Sequence, residues 1–127
     1  MASSTTRVSP DPDPVFDRFG FHQGQLVVGV DRLLFLSGQV GDPADRLDGQ
    51  LATALQRIEV LLGRVGMALP DLVKLTILTT DVDALVAVWP VLRAAFAPGP
   101  VPPNTLAEVA RFARPGVLVE IDGIAAR

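Results

Sequence analysis

Leu51, Leu55, Ile58, Leu62 and Val65 recur at steps of three and four residues, the spacing of one apolar helix face. They predict a helix that follows the loop GDPADRLDG, with Asp48 as its N-cap and Gly66 as a left-handed terminator. Upstream, the runs VVGV and LLFLS flank the polar pair Asp31-Arg32, the pattern of a β-hairpin, and Ser37-Gly38-Gln39 closes its second strand. Residues 73–80 mix β-branched residues with partial alternation and read as a strand covered on at least one face. Residues 83–97 look helical, but an interior Pro90 would cost about 3 kcal/mol, so the helix is expected to start near Pro90. Leu92, Ala95 and Phe96 would be its buried side, and Pro98-Gly99-Pro100 its stop. Residues 105–111 and 117–125 read as two last strands, joined through a Pro115-Gly116 turn and expected to pair as a hairpin.

The order ββ, α, β, α, ββ gives an α+β fold: a sheet of about five strands with two helices packed on one face. The other face then needs a cover, which subunit association would supply. Residues 1–14 are rich in Ser, Thr, Pro and Asp, with Pro10, Pro12 and Pro14 removing backbone donors, and read as a flexible tail. Residues 15–127 form one domain, since 127 residues suffice for one core and not for two.

Composition sharpens this picture. Apolar residues make up 49% and charged residues 20%, which leaves a small monomer with much apolar surface in water and favours a homo-oligomer. A net charge of −3 offers no footprint for phosphate backbones or anionic lipid, so neither nucleic acid nor membrane is expected as a partner. The absence of cysteine excludes disulfides and thiolate chemistry and fits a reducing compartment, with the cytoplasm as the default. The N-terminal stretch lacks the pattern of a secretory signal, and no run approaches the ~18 apolar residues of a spanning helix.

Candidate chemistry is sparse. His22 is the single histidine, and Ser37 lacks the G-x-S-x-G surroundings of a nucleophile elbow, so a triad joining them is not expected. No His pair or His-acid spacing suggests a metal, and no glycine-rich loop suggests a nucleotide, so no cofactor is expected. Glu120 shares a strand face with Leu118, Asp122 and Ile124, mixed surroundings in which a carboxylate can serve proton transfer or simply sit at an exposed edge. Trp89 before Pro90 has the position of a packing anchor more than of a ligand platform.

Four stretches together resemble the RidA family, also called YjgF or L-PSP. They are LFLSGQVG at 34–41, MALPDLVKLTILTTDVDAL at 67–85, AAF at 94–96 and NTLAEVARFARPGVLVEIDGIA at 104–125. The resemblance implies a chorismate-mutase-like fold with a mixed sheet, assembled as a homotrimer with a small-molecule cleft at each subunit interface. It also implies hydrolysis of imino or enamino compounds, with Glu120 as the catalytic carboxylate and Ser37 matching the Ser of the S-G-Q segment. The family's substrate-clamping Arg falls on Asn104, a helix-entrance Asn falls on Trp89, and an N-terminal Tyr falls on Gln23. Asn offers one neutral amide where Arg offers a charged planar fork, and losing one partner of a desolvated charge pair costs about 2–5 kcal/mol. Weak turnover of 2-imino acids follows, with a neutral, flatter substrate held by Asn104, Trp89, Gln23, Ser37 and the strand at Thr105. Arg93, Arg111 or a neighbouring subunit's Arg32 are the candidates to restore a cation. The alternative is a trimer that binds a metabolite in the same cleft without turning it over.

Overall fold

A computed structural model describes residues 3–127. In chain order the elements are β1 (Ser4–Val8), α1 (Pro14–Phe19), β2 (Gly24–Val28), β3 (Leu33–Gln39), α2 (Leu47–Gly63), a 3-10 turn at Leu69–Asp71, β4 (Leu72–Thr79), α3 (Val82–Ala87), α4 (Trp89–Phe96), β5 (Asn104–Glu108) and β6 (Val119–Ala126). Four strands form one mixed sheet in the order β3-β6-β4-β5, and β1 and β2 form a separate antiparallel ribbon. Helices α2 and α4 pack on one sheet face over a core that includes Leu51, Ile58, Leu75, Ile77, Leu92 and Ile121.

The long helix follows its apolar stripe, with Leu51, Leu55, Ile58 and Leu62 all buried. It begins one residue before Asp48, whose carboxylate accepts the amide of Gly49 in the first turn. Gly66 has the expected left-handed φ of 74°, and the next amide, of Met67, returns to the carbonyl of Leu62 at 2.9 Å.

Three strand pairings and one helix differ from what the sequence predicts. Residues 4–8, expected in a flexible tail, form β1, because Thr5, Thr6 and Val8 are β-branched and the prolines begin only at Pro10. β2 and β3 are not a hairpin. The amides of Asp31 and Arg32 both donate to the carbonyl of Arg127, at 2.9 and 2.7 Å, so the polar pair engages the C-terminal residue, and β3 pairs with β6. β5 and β6 are not a hairpin either: β6 lies between β3 and β4, and β5 runs parallel to β4 on the sheet's edge. Residues 82–87 form a helix of their own, α3, N-capped by the Asp81 carboxylate accepting the Ala84 amide, before Trp89 and Pro90 start α4.

Alternation decides which side chains face where. Leu75, Ile77 and Thr79 of β4, and Val119, Ile121 and Ala125 of β6, lie against the helices. Their alternates, among them Lys74, Thr76, Leu78, Glu120, Asp122 and Ile124, share the opposite face with Leu33, Phe35 and Ser37 of β3. Among the described residues no element covers that face, and Phe35 is 69% exposed.

Candidate functional site

Glu120 lies on the uncovered sheet face, in register with Leu78 of β4. Its carboxylate runs across β3 at Gly38, where an ideal Cβ would sit 2.5 Å from Glu120 Cδ and 2.8 Å from Oε1. A side chain at position 38 would require the Glu120 carboxyl to move from this place. The β3-β6 register shifts between Leu36 and Gln39, so Ser37 and Gly38 occupy a bulge, a device that re-aims side chains and frees backbone groups. The Gln39 amide holds the bulge by donating to the Ser37 carbonyl at 3.0 Å. Ser37 itself is exposed beside this cradle.

The strand carrying Glu120 is pinned two residues upstream. Gln50, fully buried in α2, donates through Nε2 to the carbonyls of Asp45 and Gly116 and accepts the Leu118 amide on Oε1 at 2.8 Å. The buried Thr79 hydroxyl donates to the Leu118 carbonyl at 2.9 Å. Both polar groups of Leu118 are therefore fixed from opposite sides. Gln50 was missed in the sequence; its signal is a polar side chain immediately before the apolar stripe starts at Leu51.

The other expected residues do not gather at Glu120. Asn104 opposes Leu75, whose side chain faces the helices, while Glu120 opposes Leu78 on the open face. Three residues along β4 and two strand spacings separate the two backbones, about 14 Å in one chain. Asn104 Nδ2 donates to the Pro102 carbonyl at 3.0 Å. Thr105 does share the open face, where its hydroxyl accepts from Lys74 Nζ at 2.9 Å.

Trp89 is 5% exposed, donates its indole N–H to the Phe19 carbonyl at 2.8 Å and packs edge-on against Phe19. A stacking platform beside Asn104 gives way to a packing anchor that holds the chain before β2. Gln23 is exposed in that same segment, its amide donating to Ser9 Oγ. Ser9 Oγ is also 3.1 Å from His22 Nδ1, so the histidine is engaged with Ser9 and not with Ser37. Asp13 caps α1 by accepting the Phe16 amide, and the Ser9 hydroxyl, then that amide, hold its carboxyl below the usual carboxylate range. Its Oδ2 is shielded from solvent and has no hydrogen-bond partner among the described residues.

The candidate cations are elsewhere too. Arg32 donates to the Val65 carbonyl at 2.7 Å, Arg93 reaches toward the Arg18 carbonyl at 3.5 Å, and Arg111 is exposed. Among the described residues no group of three His, Cys, Asp or Glu is placed to hold a metal ion, and no helix is long and apolar enough to cross a membrane.

The family model described as Endoribonuclease L-PSP matches residues 22–127, nearly the whole chain. The protein belongs to this family, the Rid/YjgF family. Among solved structures, a Rid-family protein from Yersinia pestis superposes with a TM-score of 0.85 at 22% identity, over 97% of this chain and 98% of its own. A YjgF/YER057c/UK114 member from Mycobacterium tuberculosis is 30% identical with a TM-score of 0.70, over 98% of this chain and 100% of that one. A Pseudomonas aeruginosa protein gives a TM-score of 0.70 at 25% identity, over 98% and 94%. No curated protein matches the chain. The mixed α+β fold is thus that of the Rid family, and the bulge with Glu120 falls inside the matched region.

Proposed function

We propose that this Rid-family chain hydrolyses a small imine, enamine or related C–N compound, with Glu120 as the group that handles the proton of the attacking water. The observation that carries this reading is the Glu120 carboxylate laid over Gly38 in the β3 bulge, on the sheet face that no described element covers. A carboxylate held against backbone has few conformations to lose when it orients a water. Water adds to the C=N carbon, Glu120 takes the proton from that water and returns it to the nitrogen, and the carbinolamine collapses to a carbonyl compound and ammonia.

A second copy of the chain is part of the proposal. Asn104 and Glu120 belong to opposite sheet faces, and β5 is an edge strand, so a single pocket can hold both only if one copy's β5 edge meets another copy's open face. The exposure of Phe35 at 69% and Leu33 at 55% on that face supports such an interface, and a closed trimer satisfies every copy alike. Thr105 and Ser37 would line the cleft with Glu120, and Asn104 would meet the substrate's neutral end.

Ammonia release from imines generated in situ tests the chemistry. Uncarboxylated imines are expected to turn over at least as fast as 2-imino acids, and Glu120→Gln is expected to abolish both; unchanged turnover in Glu120→Gln ends the reading.

One observation favours a second reading, a metabolite-binding trimer without turnover: the Asn104 amide and the Trp89 N–H already have partners within the chain. Metabolites that raise the melting temperature yet are recovered unchanged would select it. Cleavage of RNA, which the family's description names, is disfavoured by a net charge of −3.

A further inference from the structure

The chain that precedes β2 folds onto the helix side of the molecule and there helps to line two open, adjoining cavities that share part of their wall. The smaller, about 270 Å3, is lined by Arg7 of β1, Phe16, Gly20, His22, Arg93 of α4 and the turn at residues 97–100. The larger, about 680 Å3, shares Arg7 and residues 97–100, and its remaining wall is mostly apolar, with Met67, Leu69, Leu72 and Phe96.

Three cation-capable side chains from three separate segments meet in the smaller chamber, and its lining includes no carboxylate. In a protein of net charge −3 that is a local reversal of sign, not background. The carboxylates of the adjoining α1 region are Asp13, which accepts the Phe16 amide, and the exposed Asp17.

Arg93 is held in place: its guanidinium lies so close to Gly20 that a Cβ there would be 2.8 Å from Nε, and Nη1 is 3.5 Å from the Arg18 carbonyl. Among the described residues its other N–H groups have no hydrogen-bond partner. The His22 ring is stacked on Phe16 with centroids 4.3 Å apart, and Nδ1 is next to Ser9 Oγ, which leaves Nε2 as the uncommitted polar atom. Gly99 supplies the one amide between Pro98 and Pro100, because proline carries no N–H. Glu59, on the wall of the larger chamber, disfavours an anion at that end and so sets the polarity of any occupant.

We propose that the adjoining cavities bind an organic oxyanion, its charged head in the small chamber against Arg7, Arg93 and His22 and its apolar body in the larger one. Carboxylates and phosphate monoesters share that chemistry. Guanidinium groups suit both through paired N–H donors, and the two chambers together have the size of a small-molecule site.

Calorimetric titration of the full chain at low salt with phenyl phosphate, phenylacetate and inorganic phosphate tests this. At least one phenyl probe is expected to bind more tightly than inorganic phosphate, and the tighter of the two names the head group. Arg7→Gln and Arg93→Gln, both at exposed positions, are each expected to weaken that probe about tenfold while leaving the circular dichroism spectrum unchanged. The resonances of His22, the single histidine, should shift on saturation of the unmodified protein, a readout independent of the variants. Absence of binding by all three probes overturns the proposal. So does binding that survives both arginine substitutions, or that disappears in Glu120→Gln, which would put the anion at the open sheet face.

Discussion

The side chain of Glu120 and the backbone of Gly38 occupy adjoining space so closely that a Cβ at position 38 would displace the carboxyl from where it lies. Gly38→Ala must therefore push the carboxylate out of its cradle or widen the bulge. If Glu120 activates water, the variant should lose at least about tenfold in kcat, equivalent to about 1.4 kcal/mol, with a much smaller loss of stability. Comparing kcat with the melting temperature in parallel checks it; full activity in the variant would mean that the carboxylate's position is irrelevant to the reaction.

Gln50 carries the same logic into the core. Replacing it with Leu leaves the Leu118 amide without its partner in a half-buried setting, whereas the Gly116 and Asp45 carbonyls belong to exposed residues that water can reach. A buried orphaned group costs about 1–3 kcal/mol and a solvated one far less, so a net loss of about 1–3 kcal/mol, set by the Leu118 amide, is expected in urea unfolding. Gln50→Glu, which keeps the acceptor for Leu118 and loses the amide donors, should fall on the destabilised side as well, because it brings an unpaired charge into the core.

Trp89→Phe keeps most of the packing against Phe19 and Phe21 but deletes the indole donor to the Phe19 carbonyl. A loss of about 1–2 kcal/mol is expected, against about 3–5 kcal/mol for Trp89→Ala, which also opens a cavity. Because Trp89 is the single tryptophan, its emission in the native protein should be blue-shifted and should follow unfolding directly.

Acid should loosen the N-terminal segment before the rest. The folded pKa of Asp13 is lowered, first by Ser9 and then by the Phe16 amide, so its contribution is fully present above the unfolded value near 3.8 and is lost as pH falls through the folded value. The protection factors of the α1 amides, taken relative to the intrinsic exchange rate at each pH and followed from pH 5 downward, should fall in that window. Asp13→Asn should flatten the dependence; an identical profile in that variant would remove Asp13 from the account.

The helix α2 and the strands β4 and β6 were legible in the sequence because their periodicity reports a face that is buried within the chain. Strand pairing was not. Nothing in Asp31-Arg32 announces that their amides bind the last residue, and Pro115-Gly116 makes a turn whether or not the flanking strands are neighbours. The same limit applied to the site: Glu120 and the S-G-Q segment were readable as a motif, and Gly38 gives them a physical reason for adjacency. Asn104 and Glu120 looked like partners only because sequence does not show that an odd offset along β4 puts them on opposite faces.

Asn104 is also where the proposed chemistry is most open to reversal. Its amide donates to Pro102 at the start of an edge strand, a position from which a longer side chain can project past the sheet. Asn104→Arg breaks only that one local bond and restores a planar cationic fork of the kind that grips a carboxylate bidentately. If β5 of one copy meets Glu120 of another, the variant should gain about tenfold or more in kcat/KM for 2-imino acids over uncarboxylated imines, largely through KM. That gain should vanish in a variant that is monomeric by light scattering, such as one with Phe35→Glu on the open sheet face. A gain that persists in the monomer would show that the arginine acts within its own chain, and a shared cleft between copies would have to be abandoned.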